Sequence, residues 1–165
     1  MVIQFDCTIL EPLFSALLCG MILLVQCVNH AKVLIGTTDI KIQKGLLVYA
    51  CVEKGDTEDQ LKKLASKLVR VRVFPNENGR IDYSVHQLGL EILLVPQFTL
   101  LANTQKGLRP GFEQMPEHED AKRLFECFFN FIVEVHTCRV QKGLFGANMM
   151  VEANNIGPSN YLIRS

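Results

Sequence analysis

Short apolar runs alternate with turn residues from Met21 to Val52, and no other feature of the sequence constrains the fold as strongly. The runs are rich in Val, Ile and Leu, and Gly, Asp or other polar residues separate them. Runs of this length and composition are typical of β-strands that pair with their neighbours along the chain. The pattern therefore predicts the hairpins of a curved sheet, with runs at residues 21–25, 31–35, 40–42 and 46–52.

Two later segments change to a helical period. Thr57, with Gln60 three residues further on, forms a capping box that predicts the start of the first helix. The apolar positions that follow at helical spacing are Leu61, Leu64, Ala65 and Leu68. A second helix is predicted from about Glu117 to Val133, and its apolar face comprises Ala121, Leu124, Phe125 and Phe128. Each helix thus has one face to bury against the sheet.

Further strands are predicted on both sides of the second helix. They lie at residues 71–74, 81–85, 91–95, 148–152 and 161–164, with a turn at 75–79 and a loop rich in Gly, Pro and Asn at 102–118. We find no internal repeat, low-complexity tract or domain linker. The sequence therefore predicts one α+β domain in which antiparallel-rich strands are flanked by two helices.

Charge and cysteine content limit the kinds of partner and compartment. Seventeen Lys and Arg balance seventeen Asp and Glu, so no global positive field gathers polyanions. A protein that grips a long duplex normally shows a basic stripe, so any nucleic acid bound here is expected to be a short end. The six cysteines include no CxxC pair. We expect reduced thiols and a cytoplasmic protein.

The first twenty residues allow two interpretations. Residues 12–28 contain no charged side chain, which suits a targeting segment or a short membrane span. Against that, the start has no basic region, Asp6 and Glu11 are acidic, and Ser15 and Gln26 interrupt the apolar run. We favour an N-terminal extension or a mis-called start for residues 1–20, and we expect no membrane span.

Several common catalytic arrangements are absent from the sequence. There is no G-x-S-x-G elbow, no readable Ser-His-Asp order and no glycine-rich phosphate loop. The histidines, at positions 30, 86, 118 and 136, show no metal-ligand spacing. His136 and Cys138 are two apart, which is more typical of strand alternation than of a ligand pair. The sequence predicts neither a metal nor an organic cofactor.

Thr99 is the most informative hydroxyl in the chain. It follows the apolar run Ile92–Val95 and stands next to Gln97 and Phe98. Such a threonine either satisfies backbone groups at a strand end or takes part in a site there. A second polar turn, Asn155-Ile156-Gly157-Pro158, places backbone rather than side chains where a pocket wall can form.

These two stretches resemble the signature motifs SQFTL and NxGPxT of the D-aminoacyl-tRNA deacylase family. The resemblance extends in order over most of residues 21–165. The matching stretches are 45–48, 52–56, 93–100, Lys106-Gly107, Arg109-Pro110, Phe112, Gly143, 145–147, Met149, Asn155 and Gly157-Pro158. It implies a barrel-like deacylase fold for residues 21–165, beginning at Met21, and hydrolysis of the ester between a D-amino acid and tRNA. Glycyl-tRNA mischarged on tRNA(Ala) is a further implied substrate.

The resemblance also implies a mechanism without a strong nucleophile. The amides of Phe98 and Thr99 stabilise the oxyanion, Thr99 orients or hydrogen-bonds the reacting group, and the substrate's ribose 2′-hydroxyl helps to activate water. Gln97 is counted with Phe98 and Thr99 as a catalytic residue. The Gly157-Pro158 peptide is cis and enters the partner's active site, where it excludes L side chains. The implied unit is a homodimer.

Other residues are assigned to the tRNA 3′ end. The resemblance places Phe112 and Phe145 near the terminal adenine, although core packing explains either ring equally well. Arg109 either meets a phosphate or fixes its own loop.

The sequence departs from the family pattern at five positions. Pro96 replaces the serine that opens the first motif, and Asn160 replaces the threonine that closes the second. Cys27 stands where the family carries an arginine that helps to hold the Gly-Pro loop, and the remaining departures are Leu144 and Asn148. A related animal deacylase that removes L-alanine from a threonine tRNA shares the proline but has alanine in place of Phe98. Two alternatives therefore stay open, an editing deacylase of relaxed chirality and a non-catalytic protein that binds the tRNA end.

Overall fold

The computed structural model describes residues 20–105 and 107–165, and most of the strands within them join in one curved sheet. The strands are β1 (Ile22–Ile35), β2 (Thr38–Ile42), β3 (Gly45–Cys51), β4 (Arg72–Pro75), β5 (Ile81–Ser84), β6 (Glu91–Pro96), β7 (Val140–Lys142), β8 (Met150–Asn155) and β9 (Tyr161–Arg164). The helices are α1 (Glu58–Arg70), α2 (His118–Val135) and a short 3-10 helix at Phe98–Leu101. The predicted α+β class with two flanking helices is confirmed.

Strand β1 organises the sheet because it is paired along both edges. Its first half lies between β3 and β9, and its second half lies between β2 and β8. The sequence suggests two separate runs here because Gln26, Asn29 and His30 interrupt the apolar pattern. The structure joins them into one strand of 14 residues, since Gln26, Cys27 and Val28 also pair with β3.

The remaining strands extend the sheet to the order β2-β1-β3-β6-β7, in which β3 and β6, and β6 and β7, run parallel. Gly45 is required where β3 meets β6, because a Cβ there would lie 1.9 Å from the Glu91 carbonyl oxygen. Strand β2 also contacts β6 and β7, so the sheet curls towards a barrel, as predicted. Strands β4 and β5 form a separate two-stranded ribbon.

The two faces of the sheet bury different apolar clusters. The larger cluster packs β1, β3 and β6 against the helices and includes Phe74, Phe125 and Phe128. The smaller one lies on the other face and comprises Val28, Ala31, Val33, Ile42, Leu47, Leu93 and Val95. Alternate residues of β6 therefore point into different clusters, which holds this strand firmly from both sides.

Both predicted helices form with their expected buried faces. The capping box at Thr57 and Gln60 is present, and every predicted apolar position of both helices is buried. Helix α2 spans His118–Val135 instead of about 117–133. Strand β7 was not predicted, since a run of three residues carries little sequence signal.

The N-terminal extension or mis-called start predicted at residues 1–20 lies outside the described residues, apart from Gly20. Within the part of the chain that the structure describes, no helix has the length and apolar character needed to cross a membrane.

Candidate active site

The end of strand β6 sets the position of the candidate site. Pro96 lies opposite Ala50 of β3 and has no N–H to continue the ladder, so regular pairing stops there. The next residue, Gln97, donates its backbone N–H to the Ala50 carbonyl at 2.9 Å. The chain then turns into the 3-10 helix Phe98–Leu101. A buried strand thus delivers Phe98 and Thr99 to the surface at its end.

The groups at this strand end are open to solvent and polar. Thr99 is exposed and Phe98 is 53% exposed. The Gln97 side-chain amide donates to the Thr99 hydroxyl oxygen. In the described part of the chain, no acceptor pairs with the backbone N–H of Phe98 or Thr99. The first N–H groups of a helix have no partner within the helix, so two neighbouring donors remain available here.

Cys51, at the end of β3, stabilises this turn through its side chain. Its thiol donates to the Phe98 carbonyl at 3.5 Å, and burial raises its pKa to about 12. The thiol therefore stays protonated at neutral pH and acts as a hydrogen-bond donor. Sequence analysis missed this residue, because only the register of β3 against β6 brings it under Phe98.

The loop after the 3-10 helix adds a second aromatic ring to the site. Asn103 and Gly111 exchange two backbone hydrogen bonds of 2.8 Å, an antiparallel bridge that closes a hairpin. Phe112 follows this closure and packs edge-on against Phe98, with ring centroids 5.2 Å apart. Arg109 lies exposed in the hairpin, and no ion pair among the described residues includes it. Phe98 and Phe112 thus form an open aromatic edge beside Thr99.

Phe145 has a different environment. Its ring is partly buried against the larger core cluster and lies 5.8 Å from the ring of Phe125 and 5.4 Å from that of His118, measured between centroids. Its loop lies beside the site, because the N–H of Gly143 donates to the Leu94 carbonyl at 2.8 Å. Phe145 thus packs partly buried against the core next to the site, and Phe98 presents the more exposed ring.

The Gly157–Pro158 peptide bond is cis, the geometry that the family resemblance implies. Asn155 of β8 pairs with Val28, and Tyr161 of β9 pairs with Val25. Two residues of β1, Gln26 and Cys27, therefore lie opposite the five residues 156–160. The three extra residues have no place in the ladder, so the loop bulges from the sheet and exposes Gly157 and Pro158.

Strand register places this loop far from Thr99 within one chain. The loop lies beside Cys27 of β1, which pairs with Leu46 of β3, which in turn pairs with Ile92 of β6. The three strand spacings from the loop to β6 amount to about 14 Å, and the four residues from Ile92 to Pro96 add roughly 13 Å along the strand. The structure thus brings Gln97, Phe98, Thr99 and Phe112 together and leaves Gly157 and Pro158 apart from them.

Metal-ligating side chains do not cluster in the described residues. No group of three or more His, Cys, Asp or Glu side chains is arranged there to hold an ion. Cys27, Cys51, Cys127 and Cys138 are free thiols.

Comparisons with known proteins show the family of this chain. The profile of the family described as D-Tyr-tRNA(Tyr) deacylase matches residues 24–164. A D-aminoacyl-tRNA deacylase of Histophilus somni (strain 2336) is 44% identical over 142 residues, which cover 86% of this chain and 97% of the relative. One from Francisella tularensis subsp. tularensis (strain WY96-3418) is 40% identical over the same shares of both chains.

Two solved structures share the fold. The c-Myc DNA Unwinding Element Binding Protein superposes with a TM-score of 0.80 at 32% identity, and the match covers 87% of this chain and 98% of that one. A probable eukaryotic D-amino acid tRNA deacylase superposes with the same TM-score at 16% identity, over 88% of this chain and 99% of that one. The second likeness concerns the fold alone.

Proposed function

The chain belongs to the D-Tyr-tRNA(Tyr) deacylase family, a family of hydrolases that cleave aminoacyl-tRNA esters, and we propose that its active site is the strand end at Thr99. The chain is accordingly a D-aminoacyl-tRNA deacylase, and its substrate is the aminoacylated 3′ end of a tRNA. We place the enzyme in the cytoplasm, where aminoacyl-tRNA is made and used.

The two unpaired N–H groups of Phe98 and Thr99 carry this proposal. Hydrolysis of the ester passes through a tetrahedral intermediate whose carbonyl oxygen becomes negative. Donors fixed before the reaction stabilise that charge, and one such donor contributes roughly 10²–10³ in rate. The buried strand β6, the Ala50 carbonyl and the Cys51 thiol fix these donors from behind. The chain thus supplies an oxyanion site made of main-chain atoms.

The remaining chemistry needs no protein nucleophile. Water attacks the carbonyl carbon, the bond to the ribose 3′-oxygen breaks, and the 3′-oxygen leaves as a hydroxyl. The substrate's own 2′-hydroxyl lies next to the reacting ester and helps to activate that water. The Thr99 hydroxyl accepts from the Gln97 amide and keeps its own proton free to donate to the substrate. Thr99 therefore orients the substrate and forms no covalent bond with it.

Discrimination between D and L substrates is assigned to Gly157 and Pro158 of a second copy of the chain. This element lies about 14 Å across the strands and about 13 Å along them from the end of β6, which keeps it from the Thr99 of its own chain. Its projection from the sheet and its exposure suit insertion into a partner. In a two-fold homodimer each copy would complete the other's pocket. The main-chain atoms of the element would then form the wall that an L side chain meets and that a D side chain or glycine avoids.

The open aromatic edge is assigned to the tRNA 3′ end. Stacking of a base on an aromatic side chain contributes about 1–3 kcal/mol whatever the base. Phe98 and Phe112 offer that surface beside Thr99, and Phe145 supports the neighbouring loop. The exposed Arg109 is available for a phosphate of the same end. Few phosphate contacts are expected, in keeping with the balanced charge of the chain.

Deacylation of matched substrates tests the proposed function. The protein is incubated with D-Tyr-tRNA, L-Tyr-tRNA and Gly-tRNA(Ala), and ester loss is followed for each. Loss of the D-Tyr and Gly esters alone supports the proposal. Loss of the L ester as well favours an editing enzyme of relaxed chirality. Binding without any ester loss would leave a non-catalytic protein and refute the proposed site.

Complementation between two inactive variants tests the shared pocket. Gly157→Ala damages the Gly157–Pro158 element that one copy inserts into the other. Thr99→Glu blocks the strand end into which that element inserts. A mixed dimer restores one pocket in which both elements are intact. Co-expression with random pairing should therefore return about one quarter of wild-type activity, because half of the dimers are mixed and each has one intact pocket of two. Activity no greater than that of the separate variants would show that both elements act within one chain.

A further inference from the structure

The loop that carries Gly157 and Pro158 is attached to the backbone of strand β1 at Cys27. Because β8 leaves the ladder at Val28 and β9 joins it at Val25, no regular strand partner lies opposite Cys27 on this edge. The loop supplies one instead. The Ile156 N–H donates to the Cys27 carbonyl at 2.8 Å, and the Cys27 N–H donates to the Ser159 hydroxyl oxygen at 2.9 Å. The Ser159 side chain thus replaces a backbone acceptor.

Asn155 closes the same loop from its other end. Its side-chain oxygen accepts the Ser159 N–H at 3.0 Å, and its side-chain nitrogen donates to the Ser159 carbonyl at 3.1 Å. Both backbone groups of Ser159 are therefore paired with one side chain. Gly157 and Pro158 lie between these two residues, so the Asn155 and Ser159 contacts set the position of the loop apex.

The side chain of Cys27 also contacts Ser159: burial raises the pKa of the Cys27 thiol, and a hydrogen bond with the Ser159 side chain lowers it. The thiol donates to the Val73 carbonyl at 3.5 Å, within the larger core cluster. A second contact, from the Gln26 amide to Asn160, is exposed to solvent. Ser159 is 9% exposed and Cys27 is 3% exposed, so little water reaches their hydrogen bond. The buried part of the attachment is therefore the contact between Ser159 and Cys27.

We propose that Ser159 is a specificity-determining positioning residue, which holds the Gly157–Pro158 element in the position in the pocket that excludes L substrates. This inference rests on the proposed function. Ser159 holds the loop through the backbone N–H of Cys27, the position at which the resemblance implies an arginine with that role. Without its hydroxyl, the Cys27 N–H loses its acceptor and the loop apex can shift. A wall that retreats by a fraction of an ångström admits an L side chain.

Ser159→Ala, Ser159→Thr and the control Ser84→Ala test this inference. Ser84 is also buried, and its hydroxyl also accepts a backbone N–H, from Gln87 at 3.2 Å, in the separate β4–β5 ribbon. The measurement is kcat/KM for D-Tyr-tRNA and for L-Tyr-tRNA. In Ser159→Ala we expect the D:L ratio to fall about tenfold, the effect of losing one hydrogen bond of ordinary strength. Ser159→Thr keeps a hydroxyl and should keep most of the ratio, and Ser84→Ala should leave it unchanged.

Asn155→Asp provides a second test if Ser159→Ala does not fold. It keeps an acceptor for the Ser159 N–H and removes the donor to the Ser159 carbonyl, so the D:L ratio should fall in the same direction. An unchanged ratio in the folded Ser159→Ala protein, or in Asn155→Asp if that protein must replace it, overturns the inference. So does an equal loss in Ser84→Ala, because the effect would then be general. If the wild-type protein leaves D-Tyr-tRNA intact, the proposed function itself fails, and this inference fails with it.

Discussion

Replacing Gly157 by alanine perturbs the proposed wall of the pocket by a single methyl group. The residue has a φ of +142°, which L side chains rarely adopt. A Cβ at this position would lie 2.5 Å from the Ser159 backbone nitrogen, whereas ordinary van der Waals contact begins at 3.4 Å. The atom in the way belongs to the backbone and cannot rotate aside. The loop apex must therefore move.

The geometry sets the size of the expected effect. To restore ordinary contact, the apex has to shift by about 0.9 Å relative to Ser159, and a misplacement of about 1 Å in an active site can reduce the rate 10²-fold. We therefore expect kcat/KM for D-Tyr-tRNA to fall about 10²-fold. The unfavourable backbone conformation costs roughly 1–2 kcal/mol of stability. For a chain of this length that lowers the melting temperature by about 2–8 °C.

Gly79→Ala is the matched control. Gly79 also has a positive φ, of +75°, but a Cβ there would meet nothing within 4 Å. It lies in the turn between β4 and β5. The assay compares initial rates of deacylation and melting temperatures of wild type, Gly157→Ala and Gly79→Ala at one salt concentration. Both variants should melt at a lower temperature, and only Gly157→Ala should lose activity.

Two results would refute this reasoning. If Gly157→Ala retains wild-type kcat/KM while its melting temperature falls, the loop apex is not part of the pocket. If Gly79→Ala loses as much activity as Gly157→Ala, the loss reflects general destabilisation of the fold.

Three further predictions concern single side chains. Thr99→Ala should lower kcat/KM about tenfold or less, well short of Gly157→Ala, because the amide donors remain; a larger loss would make the hydroxyl the main catalytic group. Cys51 should resist iodoacetamide at pH 8 in the folded protein, since a pKa of about 12 leaves about one thiolate in 10⁴. Mass spectrometry measures the labelling rate, and labelling as fast as in the unfolded chain would contradict this prediction. Burial lowers the pKa of His136 below the ordinary value near 6.5. Below pH 6.5 the unfolded chain therefore binds more protons than the folded chain, and the free energy of unfolding decreases as the pH is lowered. His136→Gln should weaken that fall in denaturant titrations between pH 7.5 and 5.5, and parallel curves for the two proteins would refute it.

Local sequence signals predicted the helices well. The capping box at Thr57 and the apolar spacing of both helices depend on residues within four positions of one another. The prediction was less accurate for β1, where polar residues in a strand paired on both edges broke the apolar pattern. It missed the 3-10 helix, because a turn of four residues after Pro96 has no period of its own.

The proposed site residues were found through ordered motifs, and the supporting residues were not. Gln97, Phe98, Thr99, Gly157 and Pro158 stand in short stretches that can be compared along the sequence alone. Cys51 and Ser159 carry no motif, since their roles come from atoms 47 and 132 positions away in the chain. The contact between the rings of Phe145 and Phe125 was likewise not predicted, since these residues are distant in the sequence.

The amino-acid sequence by itself determined the α+β class, both helices and the family, because propensity, period and motif order are read along the chain. The tertiary structure decided which donors at Thr99 remain unpaired, how far Gly157 lies from Thr99, and what holds the Gly-Pro loop. Those features depend on the register between strands that are distant in sequence. Register is set by burial of two sheet faces at once, and no local stretch of residues contains that information.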